Sequence, residues 1–245
     1  MKKYRDLFID FDDTLYDTYG NAVLALAETF DAFRLDRFFE VPQTFYDAYW
    51  EANIALWRSY AKGEITRDYL IIERFRRPLL TSEAIRLGTG EAERMLEPSA
   101  IRQISDRFLD FCSSKPGVIE GAHELMDYLK QKGYRMHMTS NGFHEVQYKK
   151  LDSCGLRACF DTIILSEDAG ANKPSSRFFD YALQRSGAGR ETTLMIGDNM
   201  QTDIQGALAS GIDGMLFNRW QVTTADGELQ PTFVVDSLRE IMSIL

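Results

Sequence analysis

Two aspartates stand two positions apart near the start of the chain, directly after the apolar run Leu7–Ile9. If this run is a β-strand, in which successive side chains point to opposite faces, Asp10 and Asp12 project to the same side at its carboxyl end. Carboxylates held this close repel each other, so both stay ionised at neutral pH only where a cation or a shared proton relieves the repulsion. The spacing therefore indicates a metal site or acid/base chemistry. The alternative is that this acidic run, which continues with Asp13 and Thr14, turns the chain and caps the next helix.

A second acidic run lies far downstream. The apolar stretch Thr193–Ile196 is followed by Asp198 and Asn199 and then by Asp203. In an open parallel sheet, ligands bind at the edge formed by the carboxyl ends of the strands. Magnesium prefers oxygen ligands and takes one or two carboxylates while keeping several waters. Because Asp10 and Asp198 suit that role, we predict a Mg²⁺ site at this edge.

A third segment offers groups that can hold an anion. Tyr134–Thr139 is predicted to be a strand, and it ends in Ser140, Asn141 and Gly142. This is a hydroxyl group followed by residues that tolerate a tight turn with free backbone amides. The segment is therefore a candidate oxyanion cradle.

A fourth segment supplies a cation. It follows another predicted strand, Thr162–Leu165, and contains Lys173 directly before Pro174, where we predict a helix started by the proline. An isolated lysine is usually a solvated surface charge. Here the ammonium would reach a cluster of carboxylates, where it can balance charge and bind a phosphate.

Together the four segments resemble the motifs of the haloacid dehalogenase-like hydrolases, in the same order and spacing: Asp10-Phe11-Asp12-Asp13-Thr14, Ser140-Asn141-Gly142, Lys173-Pro174, and Gly197-Asp198 with Asp203. The resemblance implies a phosphohydrolase in which Asp10 attacks phosphorus and forms an aspartyl-phosphate. It also implies that Asp12 protonates the leaving oxygen and then activates the hydrolytic water.

The resemblance assigns the remaining site residues in three groups. The candidate phosphate-binding residues are Ser140, Asn141 and Lys173. The candidate metal ligands are Asp10, Asp198 and the backbone carbonyl of Asp12. The candidate supporting residues are Thr14, Asn199 and Asp203.

The two catalytic carboxylates are expected to differ in proton affinity. The metal-bound carboxylate should stay ionised, whereas neighbouring negative charge should raise the pKa of Asp12 so that it carries a proton. The resemblance further implies that members that cleave carbon–halogen bonds differ at this position, because a halide needs no acid. An aspartate here favours a phosphate ester, whose alkoxide leaving group must be protonated.

The elements that position these residues fall into two patterns. From Pro116 onward, short β-like runs alternate with helical patterns, which is typical of a parallel doubly wound sheet. Residues 16–115 are helical almost throughout, and Pro42 and Pro98 are predicted to start helices. We therefore predict an α/β fold with a Rossmann-like core of residues 1–15 and 116–245 and an inserted all-helical cap of residues 16–115. In the branch that the chain resembles, such a cap closes over the active site.

The predicted helices are Ala22–Arg34, Gln43–Ala61, Arg67–Phe75 and Ser99–Phe111 in the insert, and Gly121–Lys132, Arg177–Ser186 and Asp203–Ser210 in the core. The last strands are predicted at Met215–Phe217 and Phe233–Val235.

Composition excludes several classes of protein. The chain has 245 residues, 44% of them hydrophobic, with a formal net charge of −9 and a pI near 4.9, which argues against nucleic-acid polymers or anionic membranes as partners. No apolar stretch approaches the length of a membrane span. The three cysteines lack metal-ligand spacing and are predicted to be reduced thiols of a cytoplasmic protein. The expected partner is a small phosphorylated metabolite, and the sequence leaves the oligomeric state open.

The insert must supply most of the substrate specificity. Its stretch Asn53–Trp57, with Gly63–Thr66 and Arg74-Phe75, is similar to the cap of the pyrimidine 5′-nucleotidases, which implies a nucleotide substrate. A sugar phosphate or phosphoglycolate is the alternative within the same chemistry. A binding module without turnover is the alternative from another class, and the intact set of candidate catalytic residues argues against it.

Overall fold

The computed structural model describes residues 3–223 and 229–245. These residues include six strands, which form one parallel sheet in the order β3-β2-β1-β4-β5-β6. The strands are β1 (Asp6–Ile9), β2 (Arg135–Ser140), β3 (Thr162–Leu165), β4 (Thr193–Gly197), β5 (Asp213–Phe217) and β6 (Phe233–Val235). Strand β1 lies inside the sheet, with Ile9 aligned with Met138 of β2 and Ile196 of β4. This register brings the residues that follow the three strands to the same edge.

Helices cover both faces of the sheet. They are α7 (Ala122–Gln131), α8 (His144–Ser153), α9 (Ser166–Ala169), α10 (Ser176–Ser186), α11 (Gly206–Ala209) and α12 (Leu238–Ile244), with a π-helical segment at Met200–Gln205. Leu7 packs in one apolar cluster with Leu125 of α7, and Phe8 packs in a second cluster with Phe178 of α10. Because successive residues of β1 face different helix layers, the predicted doubly wound α/β fold is confirmed.

Six helices belong to the inserted region: α1 (Thr18–Ala32), α2 (Pro42–Ala61), α3 (Arg67–Leu79), α4 (Glu83–Leu87), α5 (Glu91–Arg94) and α6 (Pro98–Ser113). Pro42 and Pro98 occupy the first turn of α2 and α6, as predicted. Thr66 caps α3 by accepting a hydrogen bond of 3.2 Å from the backbone N–H of Tyr69. The region has its own aromatic core, which includes Phe30, Phe45, Tyr49, Phe75 and Phe108.

The chain divides into two compact units, one of which is the helical unit Gly20–Lys115. The other, the sheet unit, contains the described residues up to Tyr19 and from Pro116 onward. Tyr16 stays with the sheet unit because it forms isolated bridges with Asp12 and Val118, so the helical unit begins after the predicted position 16. The role of the helical unit as a cap stays a prediction.

One local prediction is wrong, and one predicted helix differs in type. The proline-started helix begins at Ser176 instead of Pro174, because a turn comes first in which Ser175 N–H donates to the Asn172 carbonyl at 2.9 Å. The predicted helix Asp203–Ser210 is π-helical up to Gln205 before its α-helical part. Across the described ranges, no helix is long and apolar enough to cross a membrane.

Candidate active site

Three carboxylates meet at the carboxyl edge of the sheet. Asp10 follows β1 and Asp198 follows the adjacent strand β4, while Asp203 lies in the π-helical segment that comes next. Each offers a carboxylate oxygen, and these oxygens lie within 4.8 Å of one another. Convergent carboxylates of this kind are the donor set that a hard divalent cation prefers.

Thr14 links two of these carboxylates. Its hydroxyl donates to Asp10 Oδ2 at 2.9 Å and accepts a hydrogen bond of 3.1 Å from the backbone N–H of Asp198. The same Oγ1 lies 3.5 Å from Asp198 Oδ1. Thr14 therefore fixes the spacing between the ends of β1 and β4.

Lys173 is the buried cation of the site. Its Nζ donates to Asp10 Oδ1 and Asp203 Oδ1, both at 2.7 Å, and to the backbone carbonyl of Thr139 at 2.9 Å. The residue is only 1% exposed, and burial alone would lower its pKa. The charges of Asp10 and Asp203 outweigh that effect and raise the pKa of Lys173, so the ammonium is charged.

Asn141 positions Lys173 through the backbone. Asn141 Oδ1 accepts a hydrogen bond of 2.8 Å from the Lys173 N–H, and its Nδ2 donates to the Lys173 carbonyl at 3.0 Å. Both ends of the side-chain amide are thus engaged. The second N–H of Nδ2 is the side-chain donor that Asn141 can still offer to a phosphate, and this contact stays a prediction.

Ser140 ends β2 with its hydroxyl at the same edge. Its Oγ accepts hydrogen bonds from the Gly142 N–H at 2.9 Å and from Gln147 Nε2 at 3.0 Å. A Cβ at Gly142 would lie 1.6 Å from Gln147 Nε2, so glycine allows this approach. Because both contacts use the oxygen as an acceptor, the hydroxyl hydrogen is what Ser140 can offer to an anion.

Asp12 is held by three donors. Lys150 Nζ and Thr18 Oγ1 donate to its Oδ1, the latter at 2.5 Å, and Gln147 Nε2 donates to its Oδ2 at 2.5 Å. Burial would raise the pKa of Asp12, but the Lys150 charge and the hydrogen bonds outweigh it and lower the pKa. The expectation that Asp12 has a raised pKa is therefore wrong for this arrangement, because a lysine that the sequence reasoning missed lies beside it.

Asp203 is supported by the turn after β4. Its Oδ2 accepts a hydrogen bond of 3.1 Å from the Asn199 N–H. The Asn199 side chain caps the following turn by accepting hydrogen bonds from the backbone N–H groups of Gln201 and Thr202. A Cβ on Gly197 would lie 2.3 Å from Asp203 Oδ2, so only glycine leaves room for this carboxylate.

The electrostatics of the cluster fit a bound cation. Burial, together with the charges of Asp203 and Asp12, raises the pKa of Asp10 to about 7 although Lys173 opposes the shift. Burial and the charges of Asp10, Asp203 and Asp13 likewise raise the pKa of Asp198 well above its usual value. A single ammonium does not neutralise these carboxylates, so a divalent cation held by Asp10 and Asp198 would relieve the remaining repulsion.

Five residues at this edge were missed by the sequence reasoning, and one of them is Thr18, which donates to Asp12 Oδ1. Gln147 and Lys150 lie three positions apart on α8, a spacing that puts two polar side chains on one helix face and is a signal the sequence does contain. Arg219 donates to Asp13 Oδ1 at 3.1 Å, and Trp220 Nε1 donates to Asp198 Oδ2 at 2.8 Å. These last two follow β5 without a recognisable motif.

Comparison with known proteins gives a family match over most of the chain. The model for the haloacid dehalogenase-like hydrolases matches residues 6–211. The HAD-hydrolase YfnB of Bacillus subtilis strain 168 is 30% identical over 246 residues, covering 100% of this chain and 97% of YfnB. A crystal structure of YfnB bound to magnesium matches with a TM-score of 0.82 and 29% identity, covering 100% of this chain and 99% of that chain.

Two other relatives are named for their substrates. The pyrimidine 5′-nucleotidase YjjG of Escherichia coli K12 is 30% identical over 171 residues, covering 68% of this chain and 73% of YjjG. The glyceraldehyde 3-phosphate phosphatase of Methanothermobacter thermautotrophicus is 35% identical over 123 residues, covering 48% of this chain and 54% of that protein. Both names describe removal of a phosphate from a small molecule.

Proposed function

Because the chain belongs to the haloacid dehalogenase-like hydrolases, we propose that it is a magnesium-dependent phosphomonoesterase that acts on pyrimidine nucleoside 5′-monophosphates. The observation that carries the proposal is the convergence of Asp10, Asp198 and Asp203 with the buried ammonium of Lys173 at one sheet edge. Phosphoryl transfer needs a positioned nucleophile and compensation of negative charge, and this arrangement offers both.

Asp10 is the proposed nucleophile. One of its carboxylate oxygens attacks phosphorus as the bond from phosphorus to the leaving oxygen breaks, which gives an aspartyl-phosphate. The Lys173 ammonium, whose three N–H groups contact Asp10, Asp203 and the Thr139 carbonyl, would offset the charge of the bound phosphoryl group. The Ser140 hydroxyl would donate to a phosphoryl oxygen. Thr14 holds the carboxylate of Asp10 in one orientation through its hydrogen bond of 2.9 Å.

Asp12 is the proposed acid and base. It gives a proton to the leaving oxygen in the first step. In the second step it takes a proton from the water whose oxygen attacks phosphorus, while the bond from phosphorus to the Asp10 oxygen breaks, which releases inorganic phosphate and restores the Asp10 carboxylate. Since Lys150 favours the ionised form of Asp12, the acid step requires that Asp12 take up a proton against this contact. Gln147 and Thr18 orient the carboxylate for both steps.

The residues present fit Mg²⁺. Asp10, Asp198 and the backbone carbonyl of Asp12 would hold the ion, and Asp203 would support them. When bound, the ion supplies positive charge that offsets the repulsion between the carboxylates and the phosphate. Its ligands are oxygen atoms only, as magnesium requires.

The substrate class is supported by the relatives and by the insert. YjjG, which is similar over 68% of this chain, is named as a pyrimidine 5′-nucleotidase. The sequence of the helical unit is similar to the cap of such enzymes at Asn53–Trp57. A triose or other sugar phosphate is the second candidate, because the similar glyceraldehyde 3-phosphate phosphatase reaches 35% identity over a shorter stretch.

A panel of phosphate esters tests the proposal. Phosphate release is measured for UMP, dUMP, dTMP, glyceraldehyde 3-phosphate and phosphoglycolate, each with Mg²⁺ and with a chelator, using the Asp10→Asn variant as the blank. We expect the highest kcat/KM for the pyrimidine nucleotides and no turnover with the chelator. A preference for the sugar phosphate or phosphoglycolate contradicts the nucleotidase assignment, and no turnover of any ester by folded protein contradicts the phosphatase assignment. A cytoplasmic location is part of the same proposal.

A further inference from the structure

The segment after β5 forms a closed turn at the edge of the sheet. Asn218 closes it, because its Oδ1 accepts a hydrogen bond of 2.8 Å from the Val222 N–H and its Nδ2 donates to the Val222 carbonyl at 3.2 Å. Gln221 lies in the left-handed region with φ 51, and its N–H donates to the Asn218 carbonyl at 3.0 Å. Contacts of the Asn218 side chain and of the backbone thus hold the turn that carries Trp220, and none of them uses the indole.

Arg219 anchors this turn to the segment after β1. Its guanidinium donates to Asp13 Oδ1 at 3.1 Å and to Asp17 Oδ1 at 3.4 Å. The same guanidinium lies over the Trp220 ring, 4.5 Å from the ring centroid. Cation–π contact of this kind orients the plane of the ring. The edge of the Tyr19 ring packs on Trp220 as well, with the centroids 5.9 Å apart.

The oriented indole reaches the candidate metal site. Trp220 Nε1 donates to Asp198 Oδ2 at 2.8 Å, which is a charge-assisted hydrogen bond. The other oxygen, Oδ1, is on the side of Thr14, whose hydroxyl bonds Asp10. An indole N–H is only a donor, so it can hold a carboxylate but cannot replace it as a metal ligand.

We propose that Trp220 is a positioning residue for the cation: its N–H holds Oδ2 of Asp198 and so presents Oδ1 toward Asp10. The inference rests on the cation site of the proposed function. Partners of metal ligands fix the ligand's orientation, and their loss typically weakens metal affinity by about 10–100-fold. Trp220 does not touch the reacting atoms in this role, so it acts through Asp198 alone.

Metal binding by the full chain tests this inference directly. Electron paramagnetic resonance measures the concentration of free Mn²⁺ while the protein is titrated, and Mg²⁺ is then added as a competitor. The proteins compared are the parent, Trp220→Phe, Asp198→Asn and the control Val222→Ala. Phenylalanine keeps an aromatic ring and removes the N–H. Val222→Ala removes a side chain from the same turn and keeps the backbone contacts with Asn218. Because Trp220 is 46% exposed, its replacement leaves the core intact, which a thermal melt in chelator verifies.

We expect Trp220→Phe to raise the dissociation constant of Mn²⁺ by about tenfold or more. Val222→Ala should bind Mn²⁺ like the parent. An unchanged dissociation constant in Trp220→Phe, or an equal rise in Val222→Ala, overturns the role of Trp220 and leaves the cation site standing. Parent protein that binds Mn²⁺ no better than Asp198→Asn overturns the cation site itself.

Discussion

The sheet unit and the helical unit each bury a basic side chain, and they compensate its charge in opposite ways. Lys173 of the sheet unit is 1% exposed and contacts the carboxylates of Asp10 and Asp203 at 2.7 Å. Arg74 of the helical unit is 2% exposed, and its Nη2 donates to the Ser105 hydroxyl at 2.8 Å. Within the described residues, Arg74 forms no ion pair with a carboxylate.

The aromatic core of the helical unit takes the place of a counterion for Arg74. The guanidinium lies 5.6 Å from the ring centroid of Phe75 and 5.3 Å from that of Phe108. Burial lowers the pKa of Arg74, whereas the carboxylates around Lys173 raise the pKa of that residue. Burial of a cation therefore does not by itself mark a site, whereas an excess of carboxylates around it does.

Lys173→Met should produce the largest effect. It leaves Asp10 and Asp203 buried without their cation, and breaking a buried pair in this way typically costs about 3–5 kcal/mol. It also removes a charge that we propose binds the phosphoryl group, so we expect kcat/KM to fall by about 10³-fold, the scale of a lost transition-state donor. Urea unfolding and phosphate release measure the two losses. A variant with parental stability and activity would contradict the role of Lys173.

Lys150→Met should change the pH profile. Lys150 lowers the pKa of Asp12, so its removal raises that pKa. An acid must be protonated to act, and the decline of the leaving-group step with rising pH should therefore move to higher pH, by about 1 unit or more for the loss of a close opposite charge. Profiles of kcat/KM against pH measure the shift. Lys130→Met, which removes an exposed lysine of α7, is the control, and an equal shift there would show a general charge effect.

Arg74→Met should have a smaller effect on stability and none on turnover. Methionine fills apolar space between the rings and removes a buried charge, but it leaves the Ser105 hydroxyl without its partner, which costs about 1–3 kcal/mol. Adding Ser105→Ala should recover part of that loss. Unfolding in urea measures both variants. A fall in kcat/KM for the single variant, with its fold intact, would show that Arg74 has more than a structural role. That result would contradict the distinction between Arg74 and Lys173.

The smallest effect expected is a pH-dependent stabilisation by Mg²⁺. The pKa of Asp10 is about 7 in the folded chain, against 3.8 for an ordinary aspartate, which we take for the unfolded chain. Between these two pH values the metal-free folded chain binds more protons than the unfolded chain, so its stability falls as the pH rises. Mg²⁺ must displace these protons, so its stabilising effect should grow over the same range. Each 1 kcal/mol corresponds to about 2–4 °C for a chain of this size. Melting temperatures with Mg²⁺ or chelator at about pH 5.5 and about pH 8 measure it, and an equal gain at both contradicts the expectation.

The sequence could predict the edge of the sheet better than its surroundings. Asp10, Asp198 and Ser140 each follow an apolar run, and parallel strands bring their carboxyl ends together whatever the exact packing, so their proximity follows from local pattern alone. The contact of Lys150 with Asp12 depends on the rotation of α8 about its axis, which the short motif before it does not fix. The path of the turn that carries Trp220 is likewise set by tertiary contacts of Arg219 and Asn218.

Lys173 contacts two carboxylates, and only one of them would change chemically in the proposed reaction. In that reaction Asp10 would lose its negative charge when it becomes esterified, whereas Asp203, whose Oδ1 lies 2.7 Å from Lys173 Nζ, would take no part in bond making. With Asp10 as the proposed nucleophile, Lys173 would stay held by Asp203 while Asp10 alternates between carboxylate and acyl phosphate. The Lys173 ammonium would then need little reorganisation in either step, unlike solvent water, which must reorient around each change of charge.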